Sequence, residues 1–226
     1  MPNAQYNVAA AGSLPVRIAG YQRRKMYDAF LRLGILADDT ILDIGVTSDR
    51  SYEHSNYLEC WYPQKSAITA AGLDDGAAFL EEVYPGVKFV HADGRDLPFP
   101  DRAFDYVHSS AVLEHVGSRA QQAKFVAEAV RVARKGVFLT TPNRWFPIEF
   151  HTVLPLLHWL PERQFRAILK STGREFFADE RNLNLLSAGA LRAICAELGP
   201  DARWRVGGVR LLGVVSNLLL VATKTQ

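Results

Sequence analysis

Acidic residues and glycines follow short apolar runs at two places in this sequence. The run ILDIG ends on Asp43 and Gly45, and VKFVHADG ends on Asp93 and Gly94. A carboxylate in such a position accepts hydrogen bonds from adjacent hydroxyls or from an exocyclic amine, and its charge strengthens those bonds. A dinucleotide-binding turn needs G-x-G-x-x-G, but here Asp49 stands where a phosphate would lie. The pattern therefore favours a cofactor with a cationic or zwitterionic end over NAD.

Two histidines are candidates for acid-base chemistry. His115 follows the run FDYVHSS within LEHV, and His151 lies in WFPIEFHT two residues after Glu149. Histidine is the side chain best suited to accept a proton near neutral pH. The structural alternative is that Glu114 and His115 stabilise the following helix, and that His151 satisfies a hydrogen bond in the core. We find no histidine pair with metal-site spacing and a third ligand nearby, and we predict no metal.

The apolar pattern predicts the elements that position these residues. Short strand-like runs occur in ILDIG, SAIT, VKFVHAD, FDYVHSS and GVFLTT, and segments with helical spacing separate them. This alternation predicts right-handed crossovers and an open parallel sheet with helices on both faces, where ligands bind outside the carboxyl ends of the strands. The last segment, ARWRVGGVRLLGVVSNLLLVATK, predicts an antiparallel strand pair at one edge. We interpret residues 1–226 as a single domain.

Two further segments have distinct patterns. An N-terminal helix is predicted at about residues 20–34, with Gly34 as its stop. Residues 142–186, approximately, contain TPNRWFPIEFHTVLPLLHWLP, whose prolines and aromatic residues suit a lid or a packed insertion. Three interpretations of this aromatic density stay open: a packed wall of the core, a hydrophobic acceptor pocket, or a surface that rests on a membrane.

The composition excludes several classes of protein. The 226 residues include 26 basic and 24 acidic side chains, and a net charge of +2 is too small to indicate nucleic-acid binding. The longest apolar stretch, residues 211–222, is interrupted by Ser216 and Asn217 and is shorter than the roughly 20 residues of a membrane-spanning helix. Two cysteines and a start without a signal-peptide apolar core predict a cytoplasmic protein, with peripheral membrane contact left open.

The block ADGRDLPFPDRAFDYVHSSAVLEHV resembles the class I S-adenosylmethionine-dependent methyltransferases, in particular the small-molecule enzymes related to the quinone and sterol methyltransferases. The resemblance covers roughly residues 39–142. It implies a Rossmann-like, doubly wound α/β fold with a mostly parallel seven-stranded sheet and an antiparallel edge strand. It also implies S-adenosylmethionine as cofactor and a small acceptor of lipophilic character, methylated at oxygen, nitrogen or carbon.

The resemblance implies roles for individual residues. Asp43 and Gly45 match the loop around the methionine part of the cofactor, and Asp93 and Gly94 match the loop that meets adenine. The region after the fourth strand, which lines the methyl-transfer site in the family, corresponds to Ser109, Ser110, Glu114 and His115. The acid that binds the ribose hydroxyls is replaced here by Ala71 or Gly72, and Asp74 is the nearest residue that can take its role.

Methyl transfer from a sulfonium is an in-line displacement with a neutral leaving group, so positioning and the exclusion of water supply most of the rate. We expect Asp43, Asp74 and Asp93 to converge on the cofactor. The reduced first glycine motif and the missing ribose acid leave an alternative: a non-catalytic protein of the same fold that binds or assembles partners. A nicotinamide-dependent reductase is a third hypothesis, which the absence of phosphate-binding glycines disfavours.

Overall fold

The computed structural model describes residues 13–50, 54–199 and 202–224, which are built around one seven-stranded sheet. The strands lie in the order β3-β2-β1-β4-β5-β7-β6. Strands β1 to β5 pair in parallel, whereas β7 is antiparallel to both β5 and β6. The strand bounds are Ile41–Ile44 for β1, Ile68–Gly72 for β2, Lys88–His91 for β3, Phe104–Ser110 for β4, Ala133–Pro142 for β5, Ala202–Leu211 for β6 and Val214–Lys224 for β7. The predicted fold class, including the C-terminal antiparallel pair, is confirmed.

Helices cover both faces of the sheet. Their bounds are Leu14–Leu31 for α1, Tyr57–Trp61 for α2, Phe79–Val83 for α3, Arg119–Val132 for α4, Glu162–Ser171 for α5, Glu175–Ala178 for α6 and Ala188–Glu197 for α7. The N-terminal helix begins earlier than predicted, with Pro15 in its first turn, where the missing N–H costs nothing. It also ends earlier, and Gly34 lies in the following turn with φ +81°.

The two faces of the sheet carry separate hydrophobic clusters because side chains alternate along each strand. In β1, Leu42 and Ile44 join the cluster that contains Phe125 of α4. Ile41, on the opposite face, joins the cluster that contains Phe30 of α1. The same alternation decides which side chains at the strand ends face a ligand.

The chain reverses its direction of winding between β1 and β4. It runs outward from β1 through β2 to β3, then returns to place β4 beside β1 and continues to β5. In open α/β sheets, a crevice forms at such a reversal, outside the carboxyl ends of the two strands. The loops after β1 and β4 therefore have the positions that a bound ligand requires.

The residues between β5 and α7 form a layer with a small core of its own. The buried residues of this small core are Phe165, Leu169 and Ala178. Asn184 attaches this layer to the main fold: its N–H donates to the Glu114 carbonyl at 2.7 Å, and its carbonyl accepts from Nε2 of Gln122 at 2.8 Å. Its description as a lid stays a prediction. Within the described ranges, no helix is long and apolar enough to span a bilayer.

Candidate functional site

A cleft of about 740 Å³ opens at the carboxyl ends of β1, β2, β3 and β4. One wall is the loop that follows β4, and Glu180 and Arg181 from the layer before α7 also line it. Of the residues predicted to bind the cofactor, the structure brings five into this lining: Gly45, Gly72, Asp74, Asp93 and Gly94. No sequence pattern indicated Glu180 and Arg181, because they lie far along the chain from the strands they approach.

Two glycines let the strand-end loops close around the cleft. Gly45 has φ +91°, and a Cβ there would lie 2.2 Å from Cγ2 of Val112. At Gly94, a Cβ would lie 2.3 Å from Cε2 of Phe125 and 2.7 Å from Cγ2 of Ile44. Any larger residue at either position would displace the cleft lining, because a non-bonded carbon needs about 3.5 Å. Close approach therefore requires glycine at both places.

Asp93 forms a bidentate ion pair with Arg95. Nε of Arg95 donates to Oδ1 at 2.9 Å and Nη2 donates to Oδ2 at 2.7 Å, while Nη1 reaches the carbonyl of Val116 at 3.2 Å. The hydrogen bonds from Arg95 lower the pKa of Asp93 and keep it ionised. Sequence reasoning missed Arg95, although its position two residues after Asp93 was a signal for such a pair.

Asp74 connects the loops that follow β1 and β2. Its Oδ2 accepts hydrogen bonds from the backbone N–H and the hydroxyl of Ser48, at 3.0 and 2.5 Å. Its Oδ1 accepts from the N–H of Gly76 at 3.1 Å. Burial acts to raise the pKa of Asp74, but the hydrogen bonds from Ser48 outweigh it and lower the pKa. Asp74 is thus a second carboxylate in the cleft, and Ser48 is a partner that sequence reasoning missed.

Asp43 does not reach the cleft, which corrects the expectation that three carboxylates converge there. Its Oδ1 lies 2.7 Å from Nδ1 of His108, whose Nε2 lies 2.8 Å from the hydroxyl of Tyr57. The reason is strand alternation: Asp43 shares the face of Ile41, whereas Ile44 lines the cleft. Burial raises the pKa of Asp43 to about 8 and lowers that of His108 to about 4, because it disfavours the charged form of both side chains.

Ser109 and Ser110 also lie outside the cleft lining. The Ser109 hydroxyl donates to the Ile44 carbonyl at 2.7 Å, and the Ser110 hydroxyl lies 2.9 Å from Oγ1 of Thr140. These contacts fasten β4 to its neighbours β1 and β5. Their hydroxyls are engaged within the sheet, so the placement does not fit the predicted contact with a cofactor.

His115 lines the cleft with one ring nitrogen engaged. Its Nδ1–H donates to the carbonyl of Asn182 at 2.6 Å, which leaves Nε2 with its lone pair. Burial, together with the nearby His151, lowers the pKa of His115 to about 3. A neutral imidazole of this kind accepts hydrogen bonds at neutral pH but takes up a proton only weakly. The role of His115 as a base stays a prediction.

His151, the second candidate base, lies against His115. The ring centroids are 4.6 Å apart in an edge-to-face arrangement. The Nδ1–H of His151 donates to Oε1 of Glu149 at 2.7 Å. Burial acts to lower the pKa of His151, but the interaction with Glu149 outweighs it and raises the pKa. The structure therefore joins two histidines that come from different segments of the chain.

Glu114 lies beside both histidines and is fully buried. Its Oε2 accepts a hydrogen bond from Oγ1 of Thr141 at 2.8 Å, whereas Oε1 has no hydrogen-bond partner among the described residues. Oε1 is 3.8 Å from Nε2 of His115 and 4.0 Å from Nε2 of His151. Burial raises the pKa of the Glu114 carboxyl. Three polar atoms thus face one another at the cleft wall.

Comparison with known proteins agrees with this fold. Residues 43–141 match the methyltransferase domain family. A protein of Mycobacterium tuberculosis named "Probable S-adenosylmethionine-dependent methyltransferase" is 36% identical over 80 residues, which cover 34% of this chain and 28% of that relative. The match therefore spans under a third of the length of that relative.

Solved structures share the fold at low sequence identity. The magnesium protoporphyrin IX methyltransferase of Synechocystis, crystallised with bound SAH, has a TM-score of 0.59 at 15% identity, covering 93% of this chain and 86% of that chain. A SAM-dependent methyltransferase of Methanosarcina mazei has a TM-score of 0.55 at 17% identity, covering 86% and 96%. The fold is that of the class I S-adenosylmethionine-dependent methyltransferases. Residues 43–141 are similar to a methyltransferase domain, and the described residues share the fold of S-adenosylmethionine-dependent methyltransferases.

Proposed function

We propose that this protein transfers the methyl group of S-adenosylmethionine to a small, lipophilic acceptor. The observation that carries the proposal is the cleft at the β1–β4 reversal, where Asp74 and Asp93 lie beside closely packed glycines. S-Adenosylmethionine carries a sulfonium and an ammonium group, and ionised carboxylates attract both. A cavity of about 740 Å³ is also within the usual range for small-molecule sites.

The cleft residues suggest how the cofactor is held. We assign the methionine part to the turn at Gly45, the ribose hydroxyls to Asp74 and the adenine to the loop of Asp93 and Gly94. Gly72, at the end of β2, lets the backbone there lie against the Val46 carbonyl in the loop after β1. A Cβ at Gly72 would be only 2.9 Å from that oxygen. When bound, S-adenosylmethionine supplies an electrophilic methyl carbon, so the protein's residues have to orient the acceptor and exclude water.

His115 and His151 are the residues we assign to the acceptor. His115 lines the cleft, and His151 packs against it from the segment that follows β5. Their Nε2 atoms are not used by the hydrogen bonds that fix each ring, so they are available to hold the acceptor's polar atom. The acceptor atom would then form its bond to the methyl carbon as the carbon–sulfur bond breaks.

The segment that carries His151 supports the lipophilic character of the acceptor. Five large apolar residues in this segment are each between 42% and 56% exposed: Trp145, Ile148, Val153, Leu156 and Trp159. Val153 and Leu156 have φ of +56° and +60°, a strained conformation that β-branched and bulky residues rarely adopt. An exposed apolar group of this kind suits a lipid-soluble acceptor or contact with a membrane surface.

Radiolabel transfer tests the proposal. The purified protein is incubated with S-adenosylmethionine labelled at the methyl group and with a total lipid extract, and the label in the organic phase is counted. We expect label there, and we expect inhibition by S-adenosylhomocysteine. Label that stays in the aqueous phase with every extract, despite cofactor binding, would remove the lipophilic acceptor from the proposal.

A second candidate is a non-catalytic protein of the methyltransferase fold. It is favoured by one observation: Asp74 and Asp93 already accept hydrogen bonds from Ser48 and Arg95, which occupy much of their capacity. Calorimetry with S-adenosylhomocysteine separates the two candidates. Absence of binding at millimolar ligand would favour the second.

A further inference from the structure

We propose that Glu114, His115 and His151 bind one zinc-type divalent transition-metal ion at the wall of the cleft. One ligand atom from each residue lies within 4.8 Å of the other two. Oε1 of Glu114 stands 3.8 and 4.0 Å from the two Nε2 atoms, too far for a hydrogen bond to either. The three atoms face a common gap instead of bonding to one another.

The size of this gap fits an ion after a small closure. Zinc binds nitrogen and oxygen ligands at about 2.0 to 2.2 Å, so two ligand atoms on a tetrahedral ion stand about 3.3 to 3.6 Å apart. The Glu114 contacts need to shorten by about half an ångström, and the two histidine nitrogens, which lie within 4.8 Å of each other, by up to about 1.5 Å. Rotations of the carboxylate and of both rings supply these movements. An ion would also satisfy Oε1 of Glu114, which is fully buried and has no partner among the described residues.

The surrounding hydrogen bonds orient all three groups towards the gap. The Nδ1–H of His115 donates to the Asn182 carbonyl at 2.6 Å, and the Nδ1–H of His151 donates to Glu149 at 2.7 Å. Oε2 of Glu114 accepts from Thr141 at 2.8 Å. Metal-binding histidines almost always donate their second N–H to a carbonyl or carboxylate in this way, because the bond fixes the ring and its tautomer.

The donor set selects the class of ion. Two imidazole nitrogens and one carboxylate oxygen suit zinc and neighbouring transition metals, whereas magnesium and calcium prefer oxygen ligands alone. Three protein ligands also leave a coordination position open, as catalytic zinc sites do. His115 lines the cleft, so that position is expected on the cleft side.

The role of the ion, though not its binding, rests on the proposed function. The ion would occupy the two Nε2 atoms, and it would hold the acceptor's polar atom in place of direct contacts from the rings. An acceptor hydroxyl or phenol in the open position would lose its proton to solvent and keep its oxygen on the ion. That oxygen then bonds to the methyl carbon, the carbon–sulfur bond breaks, and the thioether leaves with the electron pair. The inference therefore narrows the acceptor class to hydroxyl compounds.

Metal binding is tested on the chelator-treated full chain, titrated with Zn²⁺ alone by calorimetry and with Co²⁺ by visible absorption. We expect one ion per chain, and binding at least about 100-fold weaker in Glu114→Gln and His151→Gln. Glu149→Gln, which replaces the carboxylate that accepts from Nδ1–H of His151 and from the backbone N–H groups of His151 and Thr152, should weaken binding by about 10- to 100-fold. His91→Gln is the matched control, because this exposed histidine pairs with Asp75 away from the cluster.

Circular dichroism and the affinity for S-adenosylhomocysteine confirm that each variant is folded. Absence of stoichiometric zinc binding by the folded wild-type chain, or unchanged binding in folded His151→Gln, would overturn the site. Zinc binding without methyl transfer to any hydroxyl compound would leave the site standing and reject its role. Transfer that proceeds equally well in the metal-stripped chain would also reject the role, while supporting the proposed function.

Discussion

Asp93 and Arg95 act as one unit at the end of β3. Arg95 neutralises the carboxylate and at the same time bonds to the Val116 carbonyl, so it joins the loops after β3 and β4. The side chains of both residues remain about one-third exposed towards the cleft. A ligand can therefore reach the carboxylate without breaking the pair.

Asp93→Ala is expected to weaken the binding of S-adenosylhomocysteine by about 1.5 to 3 kcal/mol, the range for a lost charged hydrogen bond. This corresponds to about a 10- to 150-fold higher Kd, measured by calorimetry. Asp38→Ala, on an exposed loop, is the control and should leave the Kd unchanged. An unaltered Kd in Asp93→Ala would exclude this carboxylate from the cofactor site.

Asp43 has a structural role that pH can reveal. Its folded pKa is about 8, well above the usual 3.8, so between these values the folded chain holds a proton that the unfolded chain has lost. The free energy of unfolding then falls as pH rises. His108 acts in the opposite direction below pH 6.5, because it is neutral when folded and protonated when unfolded. Burial also raises the pKa of the nearby Glu59, which therefore adds to the decrease in the free energy of unfolding as pH rises.

We therefore expect the wild-type chain to lose stability between pH 6.5 and 8, by about 1 to 2 kcal/mol from Asp43 alone. Asp43→Asn should reduce that loss, because the amide does not titrate. Urea unfolding at several pH values measures the effect, with Asp38→Asn as the exposed control. Equal slopes in Asp43→Asn and the wild type would show that the carboxyl is ionised in the folded protein.

At the scale of elements, the layer between β5 and α7 completes the cleft only because it is attached to the loop after β4. Asn184 makes most of this attachment through both its backbone and its side chain. Its Nδ2 donates to the Gly117 carbonyl at 2.8 Å, in addition to the backbone bonds to Glu114 and Gln122. The loop and the layer should therefore move together.

Asn184→Ala removes the side-chain part of this attachment. We expect a loss of about 1 to 3 kcal/mol in the free energy of unfolding, because the carbonyl of Gly117 loses its donor. Faster hydrogen exchange is expected in residues 112–118 and 175–186, with little change in β1 to β3. Gln164→Ala on the exposed face of α5 is the control. Exchange that accelerates uniformly would argue against local attachment.

At the scale of the whole molecule, the cleft draws on four strands that are distant in sequence. Loops after β1, β2, β3 and β4 all line it, and the layer before α7 adds Glu180 and Arg181. A ligand in the cleft therefore contacts segments that span most of the described chain. Its binding should stabilise the fold as a unit, since only the folded chain brings these segments together.

S-Adenosylhomocysteine at 100 times its Kd is expected to add about 2.7 kcal/mol to the free energy of unfolding. For a chain of this size, that amount raises the Tm by about 5 to 10 °C. Thermal unfolding with and without ligand measures the shift, and NADH at the same concentration serves as the control. A shift of equal size with NADH would contradict the preference for an S-adenosyl amino acid over a dinucleotide.

Much of the fold could be predicted because its strands and turns depend on local patterns of apolar residues and glycines. Apolar runs such as ILDIG and FDYVHSS became β1 and β4, and the C-terminal pair became β6 and β7. Gly45 and Gly94 were recognisable because they follow strands directly. The predicted ends of α1 were less accurate. The apolar spacing at a helix end is weak, and a proline is compatible with the first turn of a helix, so the helix begins earlier than the pattern indicates.

By itself, the sequence determined which segments become strands, that they form a largely parallel sheet, and that glycines and carboxylates follow the strands. Only the tertiary structure decided that Asp43 faces His108, that Arg95 pairs with Asp93, and that Glu114, His115 and His151 meet. The physical reason is distance along the chain. Strand and turn formation depend on neighbouring residues, whereas the direction of a side chain and its partners depend on how remote segments pack.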